Sequence, residues 1–290
     1  MDFNNIIFPA PKIDLSIVDF YKRELIFIPK YDKTNNKLIR HIPALFLQPQ
    51  FFQVNKILIY FHGNSEDIFC SRELLNNLKD NLYSVSIIAI EYPGYSVYRQ
   101  DVNSEQILED SLTVYDYFKE EIGIREDKIF VFGRSIGSAP AVYLCANRNP
   151  LGLILMSPFT SIRNLANDMV GNLLKYLISN RFDNLILMKD ISCSILFIHG
   201  QSDTLINYNH TLLLKNKCRC PYEVILPEEM KHNSFHFKKD LLQPLSNFLK
   251  RISAFSNQYE IEDIIIIKIP DSLYKIPENI KKEIELAKKL

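Results

Sequence analysis

The chain has 290 residues, of which 47% are hydrophobic and 12% aromatic, so it can bury a sizeable core within one large α/β domain. Its 34 basic and 34 acidic residues cancel, and no basic block with interleaved aromatic residues occurs, so nucleic acid is not expected as a partner. The five scattered cysteines, an odd number, favour a reducing compartment over a disulfide-stapled secreted fold.

The beginning of the sequence lacks the features of an export signal. Residues 1–9 contain no basic region followed by an apolar core, and Asp2 stands where N-myristoylation requires glycine. No apolar stretch reaches the about 20 residues that a helix needs to cross a bilayer. We therefore expect a cytoplasmic protein with no transmembrane segment, and leave peripheral contact with membranes open.

Short β-type runs alternate with longer helical runs along most of the chain, which predicts a mostly parallel sheet with helices on both faces. In the first half we expect an antiparallel edge of two strands at 13–30 and 38–48, two buried strands at 56–61 and 84–90, and one helix at 104–121. In the second half we expect four strands, at 128–133, 152–156, 194–198 and 222–226. Helices are predicted between and after them, at about 137–147, 206–217 and 236–252.

One domain is predicted for residues 1–252, followed by a C-terminal extension at 253–290. Residues 159–190 interrupt the alternation as a small, lid-like helical insert with a stripe of apolar residues at Leu165, Met169, Leu173, Leu174 and Leu177. This stripe could roof a substrate pocket or simply pack on the core, and both interpretations stay open. The extension is predicted to contain a strand at 260–269 and an amphipathic helix at 277–290.

The most specific motif lies where the strand at 128–133 ends. Residues 133–137 have the sequence Gly-Arg-Ser-Ile-Gly, and a helical run follows at once. A Gly-x-Ser-x-Gly pattern between a strand and a helix is typical of a nucleophile elbow, a sharp turn that exposes one serine. The residues around the serine are small where bulk would crowd the turn. Ser135 is therefore the predicted nucleophile.

A serine hydroxyl needs a base to remove its proton and an acid to orient that base. In hydrolase sheets the acid follows the serine in the chain, and the histidine follows the acid. Asp203 comes just after the strand at 194–198, at the sheet edge where ligands of α/β folds bind, and is the predicted acid. The same position also suits a cap for a helix that begins near Leu205.

Three histidines follow Asp203 in the sequence. His232 lies in a polar loop directly after the strand at 222–226 and is the predicted base. His236 is the reserve candidate at the start of the next helix, and His210 falls inside a predicted helix. His62 precedes the serine and abuts a buried strand, so a structural hydrogen-bonding role is predicted for it.

The oxyanion of an acyl-transfer reaction needs backbone donors. The N–H of Ile136, directly after the nucleophile, and that of Asn64, after the strand at 56–61, are predicted to supply them. Cys218 and Cys220 form one close pair with no further cysteine or histidine at ligand spacing, so no metal site is predicted. The chemistry requires no cofactor.

These segments resemble the α/β-hydrolase superfamily. Within it, the chain is similar to the group of alpha/beta-hydrolase domain-containing protein 17 and its relatives of the domain-containing protein 13 type, often labelled serine-aminopeptidase-like. The matching segments are 60–67, 91–96, 133–140, 157–162, 196–203 and 232–233. The resemblance implies the α/β-hydrolase fold, a triad of Ser135, Asp203 and His232, and hydrolysis of acyl bonds. In the 17 group this means removal of palmitate from cysteines of membrane-associated proteins by enzymes with an acylated N-terminal cysteine cluster, whereas residues 1–30 here contain no cysteine.

The sequence therefore predicts a serine hydrolase that cleaves ester or thioester bonds through an acyl-enzyme, with protein depalmitoylation as one specific activity and an acylated protein as one possible substrate. The first alternative is a serine aminopeptidase-like peptidase, which would need an acidic pocket for a substrate amine. The second is a non-catalytic binding protein on the same fold, which would usually have lost a triad residue.

Overall fold

The computed structural model describes residues 10–11, 17–49, 56–82, 84–170, 182–256 and 267–287. The chain divides into two compact units. The first comprises residues 1–124 and 265–290, and the second comprises residues 125–264. Each unit is an assembly of strands and helices with a buried apolar core.

The described part of the first unit contains four strands, β1 (Leu25–Tyr31), β2 (Leu38–Leu47), β3 (Lys56–Phe61) and β4 (Val85–Ile90), in the spatial order β1-β2-β4-β3. β2 pairs antiparallel with both β1 and β4, whereas β3 and β4 are parallel. Every residue of β3 and β4 is buried, which accounts for their nearly continuous apolar sequence. The α-helices of this unit are Ile17–Tyr21, Arg72–Leu82, Ser104–Asp116 and Glu278–Ala287.

Among its described residues, the second unit contains four parallel strands in chain order, β5 (Ile129–Arg134), β6 (Gly152–Met156), β7 (Ser194–Ile198) and β8 (Tyr222–Ile225). Its α-helices are Ser138–Asn147, Ile162–Val170, Asn184–Leu187, Asn209–Lys215 and Gln243–Ser256. A methyl group on Gly152 of β6 would come within 2.8 Å of the Cδ1 of Ile252, so the bare backbone lets the last of these helices pack closely against the strand.

The eight strands confirm the predicted α/β class, because four of the six strand pairings described above are parallel and the antiparallel ones involve the N-terminal strands. Parallel β5 to β8 present their carboxyl ends at one edge of the second unit, and the loops that follow β5, β7 and β8 carry the three predicted triad residues.

Several predicted boundaries were wrong. Residues 17–21 form a short helix where a strand was expected, since a brief apolar run fits either periodicity. The helix predicted at 104–121 ends at Asp116 and continues as a wider π-helical turn, Tyr117–Glu121. The helix Arg72–Leu82 was not predicted; Leu75 and Leu78 are its buried residues.

The predicted domain boundary at 252 and the insert at 159–190 remain predictions. The insert includes the helix Ile162–Val170, and its apolar positions Leu173, Leu174 and Leu177 lie outside the described residues. Most of the strand predicted at 260–269 also lies outside them, while the helix Glu278–Ala287 occupies the place of the predicted C-terminal helix. Among the described helices, none combines the length and apolarity required to cross a bilayer.

Candidate active site

The turn after β5 presents Ser135 in a strained backbone conformation. The strand ends at Arg134, Ser135 has a φ of +54°, and a 3-10 turn at Ser135–Gly137 leads directly into the helix Ser138–Asn147. A positive φ is unfavourable for any residue with a side chain. A methyl group on Gly133 would clash with the carbonyl of Gly137 and approach the Cβ of Ala141 to 2.7 Å. The small residues of the motif are thus required by the tightness of the turn.

The structure brings Ser135, His232 and Asp203 together in one hydrogen-bonded chain, all within the second unit. The Oγ of Ser135 lies 3.0 Å from Nε2 of His232, and Nδ1 of His232 lies 2.7 Å from Oδ2 of Asp203. An ionised carboxylate only accepts hydrogen bonds, so Nδ1 carries the proton and donates it. Nε2 is then the acceptor for the serine hydroxyl, which is the tautomer a general base requires.

The two carboxylate oxygens of Asp203 have different hydrogen-bond partners. Oδ1 accepts hydrogen bonds from the backbone N–H groups of Leu205 and Ile206, each at 2.9 Å, while Oδ2 faces His232. Burial alone would raise the pKa of Asp203, but hydrogen bonds from His199, His232 and the Ile206 N–H hold that pKa well below its usual range. Asp203 therefore stays ionised at neutral pH.

The alternative prediction, that Asp203 caps a helix, is correct in part. Its Oδ1 does cap the backbone at residues 205 and 206, but those residues form an irregular turn, and the following helix begins only at Asn209. This turn is the physical reason why the helix predicted at 206–217 is shorter than expected.

His199 was not assigned a role from the sequence, yet it supports the acid. It is fully buried at the end of β7, with Nε2 2.9 Å from the carbonyl oxygen of Ile206 and 3.4 Å from Oδ2 of Asp203. Because the carbonyl can only accept, Nε2 carries the proton, and the hydroxyl of Thr211 donates to Nδ1 at 2.8 Å. A histidine four residues before the predicted acid, in the same loop, was the available signal.

The loop that carries His232 packs directly on the loop that carries Asp203. A methyl group on Gly200 would clash with the carbonyl of Met230, so glycine permits the close approach of the two loops. The Oγ of Ser202 donates to the carbonyl of Glu228 at 2.7 Å, and the backbone N–H of Gln201 donates to Pro227 at 2.9 Å. These contacts fix the loop of Asp203 against the loop of His232.

The other histidines after Ser135 have different surroundings. His236 is exposed, and its backbone N–H donates to Asp240 at 2.8 Å. His210 is buried with Nδ1 2.9 Å from the Thr160 hydroxyl and Nε2 3.0 Å from Asp168. Burial lowers the pKa of His210, which Asp168 offsets only in part. This second imidazole chain resembles a triad in its connections, but Thr160 is fully buried, so no substrate can reach its hydroxyl.

In the first unit, His62 has the structural surroundings predicted for it. It is fully buried, its Nε2 lies 2.9 Å from Oε1 of Glu91, and its Nδ1 lies 2.9 Å from the carbonyl oxygen of Gly63. Burial alone would lower the pKa of His62, but the Glu91 carboxylate raises it above its ordinary value. Both ring nitrogens face acceptors, so this is a buried ion pair with an imidazolium.

The predicted oxyanion donors lie in different units. Ile136 occupies the first turn of the helical segment after β5, where backbone N–H groups have no acceptor within the helix. Asn64 follows β3, and its carbonyl and its Oδ1 both accept from the Tyr95 hydroxyl at 3.0 Å. Their joint use as an oxyanion site stays a prediction. Cys218 and Cys220 are half-buried free thiols, and the described part of the chain contains no group of three potential ligands that could hold a metal ion.

Comparisons with known proteins agree with this architecture. A family model described as "Serine aminopeptidase, S33" matches residues 53–189, a range that contains Ser135 and ends before Asp203. Human alpha/beta hydrolase domain-containing protein 17B is 26% identical over 194 residues, which cover 67% of this chain and 66% of that protein. Alpha/beta hydrolase L404 of Acanthamoeba polyphaga mimivirus is 31% identical over 159 residues, covering 53% of this chain and 58% of that protein.

The solved structure of an esterase from Pyrococcus furiosus superimposes with a TM-score of 0.62 at 14% identity, covering 79% of this chain and 92% of that one. The likeness to this solved structure shows the α/β-hydrolase fold, and the sequence matches support the predicted resemblance to the α/β-hydrolase superfamily. Within the superfamily the chain is similar to hydrolases of the domain-containing protein 17 type. Its match spans just under two thirds of the length of those curated relatives, 66% and 65%.

Proposed function

We propose that this hydrolase is a serine hydrolase that cleaves the acyl bond of esters or thioesters through an acyl-enzyme on Ser135. The observation that carries the proposal is the unbroken chain of hydrogen bonds from the Ser135 hydroxyl through His232 to Asp203, at 3.0 and 2.7 Å. These distances lie within the range for proton transfer between a nucleophile and its base.

In the proposed reaction His232 takes the proton of Ser135 as Oγ attacks the carbonyl carbon of the substrate. Asp203 stabilises the imidazolium that forms, and the backbone N–H groups of Ile136 and Asn64 bind the oxyanion. The tetrahedral intermediate collapses, and His232 gives the proton to the departing alcohol or thiol. Water, deprotonated by His232, then attacks the acyl-serine, which releases a carboxylic acid and restores the serine. No metal or cofactor takes part.

For the substrate we propose fatty-acyl thioesters on protein cysteines, of which palmitoyl-cysteine is one, because the chain is similar to the domain-containing protein 17 group. The predicted insert at 159–190, of which the structure describes residues 159–170 and 182–190, is the candidate for an apolar wall beside the acyl chain. We place the activity in the cytoplasm, with peripheral access to membranes, since all five cysteines are free thiols. An aminopeptidase activity is the second candidate, since it is the description of the matching family model.

A fluorophosphonate probe tests the nucleophile, because it reacts covalently with an activated serine. The wild-type protein should be labelled, and Ser135→Ala should not, while Ser138→Ala, at the first residue of the following helix, should keep its labelling. Equal labelling of wild type and Ser135→Ala would reject the proposal, and so would absence of labelling in the wild type, which would favour a binding protein.

A matched substrate panel then separates the activities. Acetyl, octanoyl and palmitoyl esters of p-nitrophenol, the corresponding thioesters, and aminoacyl p-nitroanilides should be compared at equal concentration. We expect thioesters and esters to be hydrolysed, with kcat/KM rising with acyl length. A flat length profile would argue against an acyl-binding wall, and hydrolysis of the anilides alone would favour the aminopeptidase.

A further inference from the structure

Arg134 connects the strand of the nucleophile to the loop of the base. It is the last residue of β5 and directly precedes Ser135. Its Nη2 donates a hydrogen bond of 2.8 Å to Oδ1 of Asn233 and one of 3.4 Å to the carbonyl oxygen of His232. The residue between the first glycine and the serine of a Gly-x-Ser-x-Gly pattern is not specified by the turn itself, so this pair of contacts is an additional feature of this chain.

The contacts matter because His232 lies in an irregular segment, between the end of β8 at Ile225 and the π-helical turn that begins at Phe237. The first part of this segment is tied to the acid by bonds from Gln201 and Ser202. Those bonds reach residues 226–228 and stop short of the histidine. On the side of the nucleophile, the bonds from Arg134 reach the histidine itself and its successor.

We propose that Arg134 is a positioning residue: its guanidinium binds the His232 carbonyl and the Asn233 side chain, holds this segment against β5, and thereby sets the distance between Nε2 of His232 and Oγ of Ser135. The proposal rests on the proposed function. Arginine suits the task because its planar group offers several donors in a fixed geometry and can serve both acceptors at once. A lysine at this position would present one compact ammonium group with no such geometry.

Four variants test this role: Arg134→Met, Arg134→Lys, Asn233→Ala and the double variant Arg134→Met/Asn233→Ala. Arg219→Met is the matched control, since Arg219 is exposed in the same unit. We expect Arg134→Met to lower kcat by roughly 10- to 100-fold, because small displacements of a catalytic group have effects of this size. KM should change by less than about threefold, Arg134→Lys should recover part of kcat, and the control should match the wild type.

The leaving group provides a readout that a merely structural role would not move. A p-nitrophenolate departs without protonation, whereas an alkoxide needs a proton from His232. With one acyl group on both alcohols, Arg134→Met should therefore lose more activity on the alkyl ester than on the p-nitrophenyl ester. Asn233→Ala should show the same trend with a smaller loss, and the double variant should be no worse than Arg134→Met, because both changes remove one interaction.

A measurement that needs no turnover separates this inference from the proposed function. The proton on Nδ1 of His232, hydrogen-bonded to Asp203, should give a downfield NMR resonance in the wild type that broadens or shifts in Arg134→Met and Asn233→Ala. An unchanged resonance in both folded variants would overturn the inference, as would equal losses on both esters. If Arg134→Met does not fold, Asn233→Ala decides, since the Asn233 side chain is exposed. If the wild type is inactive but shows the resonance, and the resonance shifts in the variants, the proposed function is rejected while this inference stands.

Discussion

The Nε2 of His199 lies 3.4 Å from Oδ2 of Asp203, the same oxygen that faces Nδ1 of His232 at 2.7 Å. Two imidazole groups therefore converge on one carboxylate oxygen from different sides. His199 is fully buried and bound to Thr211 and Ile206, so it is fixed in place, while His232 retains a small exposed fraction, 11% of its side chain. His199 therefore helps to hold Asp203 in place, and under the proposed function His232 is the histidine that reacts.

Replacing Asp203 by asparagine removes the negative charge of the side chain but keeps its shape. In Asp203→Asn the amide can donate to Nδ1 of His232, which favours the tautomer that cannot accept the serine proton. We expect kcat for ester hydrolysis to fall by roughly 10⁴-fold. Steady-state kinetics of Asp203→Asn beside Asp190→Asn, an exposed aspartate in the same unit, checks this expectation, and a loss below tenfold would contradict the assigned role of Asp203.

The same carboxylate should make the fold sensitive to acid. The folded-state pKa of Asp203 lies well below its unfolded value of about 3.9, so its stabilising contribution is complete above that pH. The contribution is lost progressively as the pH falls below about 4 toward the folded-state pKa. Urea unfolding at pH 3 and pH 6 should therefore show a larger loss of unfolding free energy for wild type than for Asp203→Asn. Parallel losses would show that Asp203 is not a source of the acid sensitivity.

The close packing of the two loops makes Gly200 intolerant of a side chain. Gly200→Ala places a methyl group against the carbonyl of Met230 and should destabilise the protein by about 1–3 kcal/mol while displacing the loop of His232. Gly123→Ala is the control, because Gly123 has a φ of +79° but open space around its Cα. Both variants should melt at lower temperature, and only Gly200→Ala should lose hydrolase activity. Full activity of Gly200→Ala would mean that the His232 loop can shift without consequence.

The buried pair of His62 and Glu91 should stabilise the first unit in a pH-dependent way. The folded-state pKa of His62 is raised, so its contribution is complete below the unfolded value of about 6.5 and is lost as the pH rises through the folded-state pKa. Glu91→Gln should cost on the order of 3 kcal/mol near pH 6 and remove this dependence. Thermal unfolding between pH 6 and pH 9 measures it, with the exposed Glu73→Gln as control; a Glu91→Gln variant with wild-type pH dependence would contradict the ion pair.

Much of the fold followed from periodicity and from loop position. The buried strands were predicted within about a residue, because apolar runs bounded by turn residues carry the information locally. The candidate site was accessible for a related reason: loops after neighbouring parallel strands open at the same edge, so Asp203 and His232 could be proposed from their places after β7 and β8. Ser135 was marked by the small residues that its turn requires.

Other features depend on contacts that no local pattern encodes. Arg134 meets Asn233 across 99 positions of sequence, and Gly200 meets Met230 only because two loops pack together. The role of His199 could not be predicted, because it depends on buried neighbours that the sequence does not reveal. The short helix at Ile17–Tyr21 was missed because five residues contain too little periodicity to distinguish helix from strand.

The positive φ of Ser135 lowers the stability of the folded protein. Glycine would adopt the same backbone without the penalty of about 1–2 kcal/mol that a side chain incurs there, so Ser135→Gly should be an inert protein that melts at a higher temperature. A chain selected only for durability, or only as a passive binding partner, would gain from that exchange. Under the proposed function, the hydroxyl of Ser135 is therefore kept at a cost in backbone stability.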